Sequence, residues 1–434
     1  MNLVSVQANI EQHLSALAKF TATPGMGVTR FPYTDEAKAA LDYLRKEMES
    51  AGLKVYLDNS GSLIGRLEGE VPETIMFGSH YDSVRNGGAY DGIAGVVCAI
   101  ETARALIEEK VKLYYSLEII ATNDEEGARF HAGLFTGKAL FGQYSPTQLK
   151  EYLDADGISI YQAMENFGLQ PEAINAHPRK DLKAFLEIHI EQGPVLEAEG
   201  KQLGIVDVIV GIKRVLVTIH GQADHSGTMP MHMRKDAMDF AAKVISKIGD
   251  RARKYPGAVA TVGFMQVEPN VMNIIARQVS FTVDIRAVDS QSLIEQRHAL
   301  QADLEVLAED MGMSFELEDL LDEQPVMMHD VLKASLQEQC YKQQLSYMHL
   351  PSGAGHDAQI FGEQIPAAML FVPSRGGRSH CPEEWSDGYD LAVATNVLHD
   401  ALIALQNKKF LNCNKKLHTF KKSSCINLIK LILE

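Results

Sequence analysis

The stretch Thr74-Ile75-Met76-Phe77-Gly78-Ser79-His80-Tyr81-Asp82 decides how the fold is read. A mostly apolar run of strand length delivers a histidine and an aspartate, and Asp91-Gly92 follows eleven residues after His80. Histidines and carboxylates are the side chains that hold catalytic divalent metals. Open α/β sheets present their sites at strand ends of this kind. A core histidine bonded to a carboxylate has the same local sequence, so the neighbouring segments carry the weight.

Working outward, the same device recurs. Leu113–Thr122 reads as a buried strand that delivers Asp124-Glu125-Glu126. Ala184–Ile190 reads as another, with His189 near its end. Ala367–Val372 ends at a Gly376-Gly377 loop that leads to His380. Between these runs lie helices. Thr34 is placed to cap one over Asp35–Ala51, with Leu41, Leu44 and Met48 as its apolar stripe and Gly52 as its stop. Gly92–Glu109, Val331–Gln344 and Asp390–Gln406 have helical patterns too. Strands alternating with helices predict an α/β layer around a parallel or mixed sheet.

The pattern changes near Gly211. Arg214–His220 alternates like a half-exposed strand, Asp236–Lys254 is an amphipathic helix, Ala258–Val267 and Gln278–Arg286 are strands, and Ser290–Met311 is a long helix. Such units suit a small α+β domain inserted into the first. The expected division is 1–212 with 328–407, an insert over 213–327, and a basic tail over 408–434. The tail holds seven lysines and one acid, and we expect it to lie outside the fold.

At 434 residues the chain exceeds one ordinary core, as the division implies. With 41 Lys plus Arg against 57 Asp plus Glu, its formal charge of -16 argues against nucleic acid or an anionic membrane as partner. No apolar window approaches the length of a membrane span. The N-terminal residues lack a basic region before an apolar core, so a signal peptide is not expected. The five cysteines (98, 340, 381, 413, 425) have no metal-type spacing, which fits a reduced, cytoplasmic chain.

Each candidate has a plain alternative. Asp82 is placed to orient the His80 ring, as the partners of metal-bound histidines do. Asp91 either caps the following helix or bridges two metals. Glu125 and Glu126 point to different sides of an extended backbone, so one can bind metal while the other stays free as a base. His225, in His220-Gly221-Gln222-Ala223-Asp224-His225-Ser226-Gly227, is a loop histidine or an electrophile for a developing oxyanion. Arg286 suits bidentate capture of a carboxylate, or an ion pair with Asp284. Asn273 is an amide anchor or a turn residue. Gly353-Ala354-Gly355-His356-Asp357 is a loop whose backbone can meet a substrate.

Together these segments resemble the dinuclear-zinc metallopeptidase and aminoacylase superfamily. His189 within His-Ile-Glu-Gln-Gly-Pro, and Ser352-Gly-Ala-Gly-His-Asp-Ala358, point to its amidohydrolase branch, that of the allantoate amidohydrolases, N-carbamoyl-L-amino-acid hydrolases and β-ureidopropionases. The resemblance runs from roughly residue 15 to 405. It implies a discontinuous catalytic domain with a central mixed sheet and an inserted dimerisation and lid domain. It also implies one divalent ion on His80, Asp91 and His189, and a second on Asp91, Glu126 and His380, with Glu125 as base. His225 matches the histidine that reaches the neighbouring subunit's site. Asn273 and Arg286 match residues that hold the substrate's carboxylate end. Arg214, Gly355 and His356 are further expected contacts. Zinc is the first expectation for the metal, and manganese, cobalt and nickel suit the same ligands. The implied activity is hydrolysis of a ureido or carbamoyl group in a homodimer. An aminoacylase or dipeptidase reaction, or a non-catalytic metal-binding homologue, is the alternative. Ser62 departs from the family, where Asn is frequent, and the Arg375 to Arg378 loop also varies.

Overall fold

The computed structural model describes residues 1–406. The expected basic tail lies outside the described residues. In chain order the strands are β1 (Lys54–Leu57), β2 (Leu63–Leu67), β3 (Val71–His80), β4 (Tyr115–Thr122), β5 (Leu182–Ile190), β6 (Leu203–Ile209), β7 (Gly211–His220), β8 (Val259–Thr261), β9 (Met265–Glu268), β10 (Gln278–Ala287), β11 (Ser314–Glu323), β12 (Val326–Met327), β13 (Tyr347–Ser352) and β14 (Ala367–Val372). The chain divides into two compact units. One comprises Met1–Asp207, Met328–Leu350 and the described residues from Gly355 onward; the other comprises Val208–Met327 and Pro351–Ala354.

The first unit is built on a mixed sheet in the order β1-β2-β4-β3-β5-β14-β6, with β13 also on β6. Its centre is parallel: β3 pairs with β4 and β5, and β5 with β14. Every residue of β4 and β14 is buried, as is nearly every residue of β5. Continuous burial is what a parallel strand covered on both faces requires. The helices Leu3–Leu17, Ile93–Glu108 and Gly388–Leu405 contribute Ile10, Leu17, Val96, Ile100, Leu398 and Leu402 to the main core. Each such side chain contributes about 1.5–3 kcal/mol when fully buried. The buried Glu118 of β4 is held by Arg66 at 3.0 Å and Arg179 at 2.7 Å.

The register fixes where the site falls. His80 ends β3 opposite Thr122, the last residue of β4, and His189 of β5 lies opposite Phe371 of β14. All four parallel strands therefore finish at one edge, where the segments bearing Glu125, Glu126 and His380 also begin. The helix Asp35–Ser50 starts at the expected cap, with Thr34 Oγ1 accepting from the Ala37 N–H at 3.3 Å.

The second unit is an antiparallel sheet in the order β11-β7-β10-β8, with β9 also on β10. Burial alternates along β10: Val279, Phe281, Val283 and Ile285 face the core, and Asp284 and Arg286 face away. The helices Ala237–Ala252 and Ser290–Met311 supply Phe240, Val244, Leu293 and Leu300 to that core. Two details differ from the sequence reading. The single strand expected over Ala258–Val267 is two strands, β8 and β9. Around Gly263 the register against β10 slips by one residue, as at a β-bulge. The strand β11 and the first helix were not anticipated. β11 has little buried side-chain area and five acids among its ten residues, so its apolar signal is weak.

Candidate metal centre

Asp91 is the hub. Its Oδ1 lies 3.3 Å from His189 Nε2 and 3.8 Å from His80 Nε2. Its Oδ2 lies 3.1 Å from His380 Nε2. One carboxylate thus offers an oxygen to each of two histidine groups. His380 Nε2 also lies 3.2 Å from Glu126 Oε1. Asp91 does not cap the helix it precedes: the cap position is Gly92, at φ 64°, and no side chain bonds there. A Cβ at Gly92 would sit 2.3 Å from the His80 ring, so the loop can approach the histidine this closely only with glycine.

The two buried rings are fixed by main-chain carbonyls. His80 Nδ1 is 3.1 Å from the Asp82 carbonyl, and His189 Nδ1 is 2.9 Å from the Ile190 carbonyl. Each Nδ1 donates to its carbonyl, which leaves Nε2 to face Asp91. The expected carboxylate of Asp82 is 3.7 Å from His80 Nδ1 and has a second task. Its oxygens accept the N–H groups of Glu125 and Glu126, each at 3.2 Å. Asp82 thereby ties the His80 strand end to the turn that presents both glutamates. That turn needs Asp124 at φ 57°, an uncommon angle outside glycine.

Glu125 and Glu126 diverge. Glu126 faces His380 and Asp91. Glu125 has Oε1 at 3.6 Å from His356 Nδ1 and Oε2 at 4.0 Å from His80 Nε2. Burial, then the charges of Glu126, Asp357, Asp82 and Asp91, push the Glu125 carboxyl well above the usual range.

Among the described residues, four groups of three side chains have their ligand atoms within 4.8 Å of one another: His80, Asp91 and His189; Asp91, Glu126 and His380; His80, Glu125 and Glu126; and Glu187, His189 and His356. The surroundings treat the rings differently: burial holds His189 down to about 4, while the acids favour charge on His80 and His380. Burial opposes charging His80, but Asp82, Asp91 and Glu126 outweigh it and raise the ring to about 9. Hydrogen bonds to Asp91 and Glu126 raise His380 to about 11. Burial would raise Asp91, yet His380, His189 and His80 together hold it far below the carboxylate range. A cluster of N and O donors that draws protons onto two histidines suits divalent cations.

The other expected residues divide between the units. Gly355 and His356 lie in the first unit, and the His356 ring meets that of His189 edge-on at 4.4 Å. Arg214, His225, Asn273 and Arg286 lie in the second. Arg214 and Asp284 are cross-strand partners, and Arg214 Nη2 donates to Asp284 at 2.7 Å. Arg286 Nε donates to the same carboxylate at 2.9 Å and Nη1 to the Gly353 carbonyl at 2.7 Å. Two arginines share one acid, so the outer face of β7 and β10 keeps one net positive charge there. His225 Nδ1 accepts the Gly227 N–H at 3.0 Å, which places the proton of the neutral ring on Nε2. Asn273 is exposed, and its carbonyl accepts the Ser226 N–H at 3.1 Å.

Residues 76–404 match the Peptidase family M20/M25/M40. The chain belongs to this family. The M20 match confirms the resemblance carried by the motifs. The N-carbamoyl-L-amino-acid amidohydrolase of Paenarthrobacter aurescens is 40% identical over 93% of this chain and 100% of its own length. The allantoate amidohydrolase of Escherichia coli (strain K12) is 36% identical over 90% of this chain and 96% of its own. The crystal structure of an amidase of the hydantoinase/carbamoylase family from Burkholderia multivorans superposes with a TM-score of 0.86 at 32% identity, covering 92% of this chain and 97% of that one. The mixed α/β fold is thus that of M20 amidases, and the class named in these relatives is hydrolysis of a non-peptide carbon–nitrogen bond.

Some neighbours of the M20 centre were invisible in the sequence. Glu187 accepts the Ser79 hydroxyl at 2.6 Å beneath the histidines. The buried Arg30 donates to the Tyr81 carbonyl at 2.6 Å, between His80 and Asp82. Glu384 bonds to loops on both sides of the site. These groups act through main-chain partners far away in sequence, and no spacing rule exposes them.

Proposed function

We propose that the chain is a metal-dependent amidohydrolase that cleaves the linear ureido group of allantoate or of an N-carbamoyl-L-amino acid. The observation that carries the reading is the division of Asp91 between two histidine groups, with the Glu125 carboxylate beside them, in a chain nearly co-extensive with relatives named for those substrates. His80, Asp91 and His189 would hold one divalent ion, and Asp91, Glu126 and His380 a second, zinc being the first choice. Ions there would polarise the substrate carbonyl and acidify a water.

The chain's own groups do the rest. Glu125 accepts the proton of the water that adds to the ureido carbon, and returns it to the departing nitrogen. Its high proton affinity suits both halves of that exchange. His225 offers Nε2–H to the developing oxyanion. Arg286, Arg214 and Asn273 hold the substrate carboxylate, and Gly355 and His356 line its other end. Consuming one water, an N-carbamoyl amino acid yields the amino acid, ammonia and carbon dioxide.

A homodimer fits the second unit, whose exposed Phe264, Met265, Val271 and Met272 form an apolar surface that a partner subunit would cover. In that dimer His225 would complete the neighbour's site. Among the described residues no helix is long and apolar enough to cross a membrane. Cys98, Cys340 and Cys381 are free thiols, which fits the reducing cytoplasm.

The test is ammonia release from allantoate, several N-carbamoyl-L-amino acids, N-acetyl amino acids and dipeptides, over zinc, manganese, cobalt and nickel. Turnover confined to ureido compounds supports the reading; turnover confined to acyl amino acids or dipeptides moves the chain to the aminoacylase or dipeptidase reaction. Replacing Arg286 with Ala is expected to raise KM for a carboxylate substrate. Losing a charged hydrogen bond costs about 1.5–3 kcal/mol, or roughly 10–100-fold in kcat/KM. An equal loss on a ureido substrate without a carboxylate would rule out the assigned role.

A further inference from the structure

We propose that Glu384 is a positioning residue of the metal centre, its carboxylate fastening the loop that presents Asp91 to the loop that presents His380. The proposal rests on the two-ion reading above. Glu384 Oε1 accepts the N–H groups of Tyr90 at 3.0 Å and Asp91 at 2.9 Å. Its Oε2 accepts the Ser379 hydroxyl at 2.7 Å and the His380 N–H at 3.3 Å. The side chain is 3% exposed, and all four of these donors come from the two ligand loops.

Two further observations converge on it. A Cβ at Gly88 would lie 2.1 Å from Glu384 Oε1 and 2.3 Å from its Cβ, so the Asp91 loop is moulded onto this side chain and tolerates only glycine. His380 is also the ligand most in need of support. Its side chain is 48% exposed and its backbone sits at φ 57°. The rings of His80 and His189 are pinned through Nδ1 to carbonyls. For His380, the contact that fixes the backbone is the one from Glu384.

A carboxylate can accept four donors with two oxygens; an amide cannot, because its NH₂ would face two donors. In Glu384→Gln one loop must let go. The Asp91 loop runs straight into the helix Ile93–Glu108, so the His380 side yields. The group of Asp91, Glu126 and His380 then loses its geometry, and the group of His80, Asp91 and His189 keeps it.

The experiment is titration of metal-free protein with Zn²⁺ and with Co²⁺, followed by calorimetry and by Co²⁺ absorption. Wild type is expected to take up two ions. Glu384→Gln is expected to bind the first as wild type does and the second about 10–100-fold more weakly, the usual cost of losing a group that orients a ligand. Gly88→Ala should show the same selective loss, and Ser379→Ala a smaller one. A merely structural role would lower the melting temperature and weaken both ions alike. Wild-type affinity for both ions in Glu384→Gln, or equal loss of both, overturns the proposal. If Glu384→Gln does not fold, the same two outcomes in Ser379→Ala decide it. A wild-type protein that takes up fewer than two ions overturns the two-ion reading itself, so the two failures are told apart.

Discussion

Replacing Glu125 with Gln is expected to leave the metal content unchanged and to lower kcat by about 10²–10⁴-fold, the range that a positioned acid–base group supplies. Gln matches Glu in shape, so the turn held by Asp82 stays in place, as do Glu126 and the histidines. What is lost is the ability to take a proton and give it back. The pocket holds Glu125 well above the usual carboxylate range, and the neighbouring acids have other partners. Glu126 is engaged with His380, and Asp91 is held far below that range. Metal analysis and steady-state kinetics on one preparation check the result. Loss of metal with loss of turnover would make Glu125 a ligand, in line with its grouping with His80 and Glu126. Near-normal turnover would remove it from the chemistry.

Asp91→Ala is expected to empty both metal positions and leave no measurable turnover. The corresponding change at a ligand of one ion, such as His380→Ala, should empty only one. The contrast follows from the two oxygens of Asp91, which face different histidine groups. The substitution also leaves His80, His189 and His380 near one another without the acid that neutralises the rings. Metal content per chain after exhaustive dialysis discriminates: close to zero for Asp91→Ala, close to one for His380→Ala. An Asp91→Ala protein that retains one tightly held ion would show that the carboxylate is not shared.

The sequence was most legible where the side chain itself carries the chemistry. His80, Asp91, Glu126, His189 and His380 stand at the ends of apolar runs, and the parallel sheet brings those ends to one edge. The second unit's core strands were legible for a related reason, since alternation along β10 is a direct image of burial. Groups that work through backbone partners were not legible. Asp82 was expected to hold the His80 ring; its main-chain carbonyl meets the ring Nδ1, while its carboxylate holds the main chain of Glu125 and Glu126, a task no spacing exposes. Glu384 looks like one of two adjacent acids in a polar loop, and its partners Tyr90 and Asp91 lie 293 or more residues away. The arginines illustrate a third case. For Arg286, substrate capture and pairing with Asp284 were the alternatives in the sequence; the pairing is made, and Arg214, expected only as a substrate contact, shares the same acid.

The order in which the chain is made gives the split site a history. His80, Asp91, Glu126 and His189 all precede the second unit in sequence, and His380 follows it; 188 residues separate Gln192 from His380. At roughly 5–20 residues per second, that stretch takes on the order of 10–40 s to emerge during synthesis. A growing chain therefore carries four of the five residues of the His–carboxylate cluster well before the residue that completes it exists. The group of Asp91, Glu126 and His380 therefore comes together only after β14, the late strand that leads to His380, has paired with β5, the strand that carries His189.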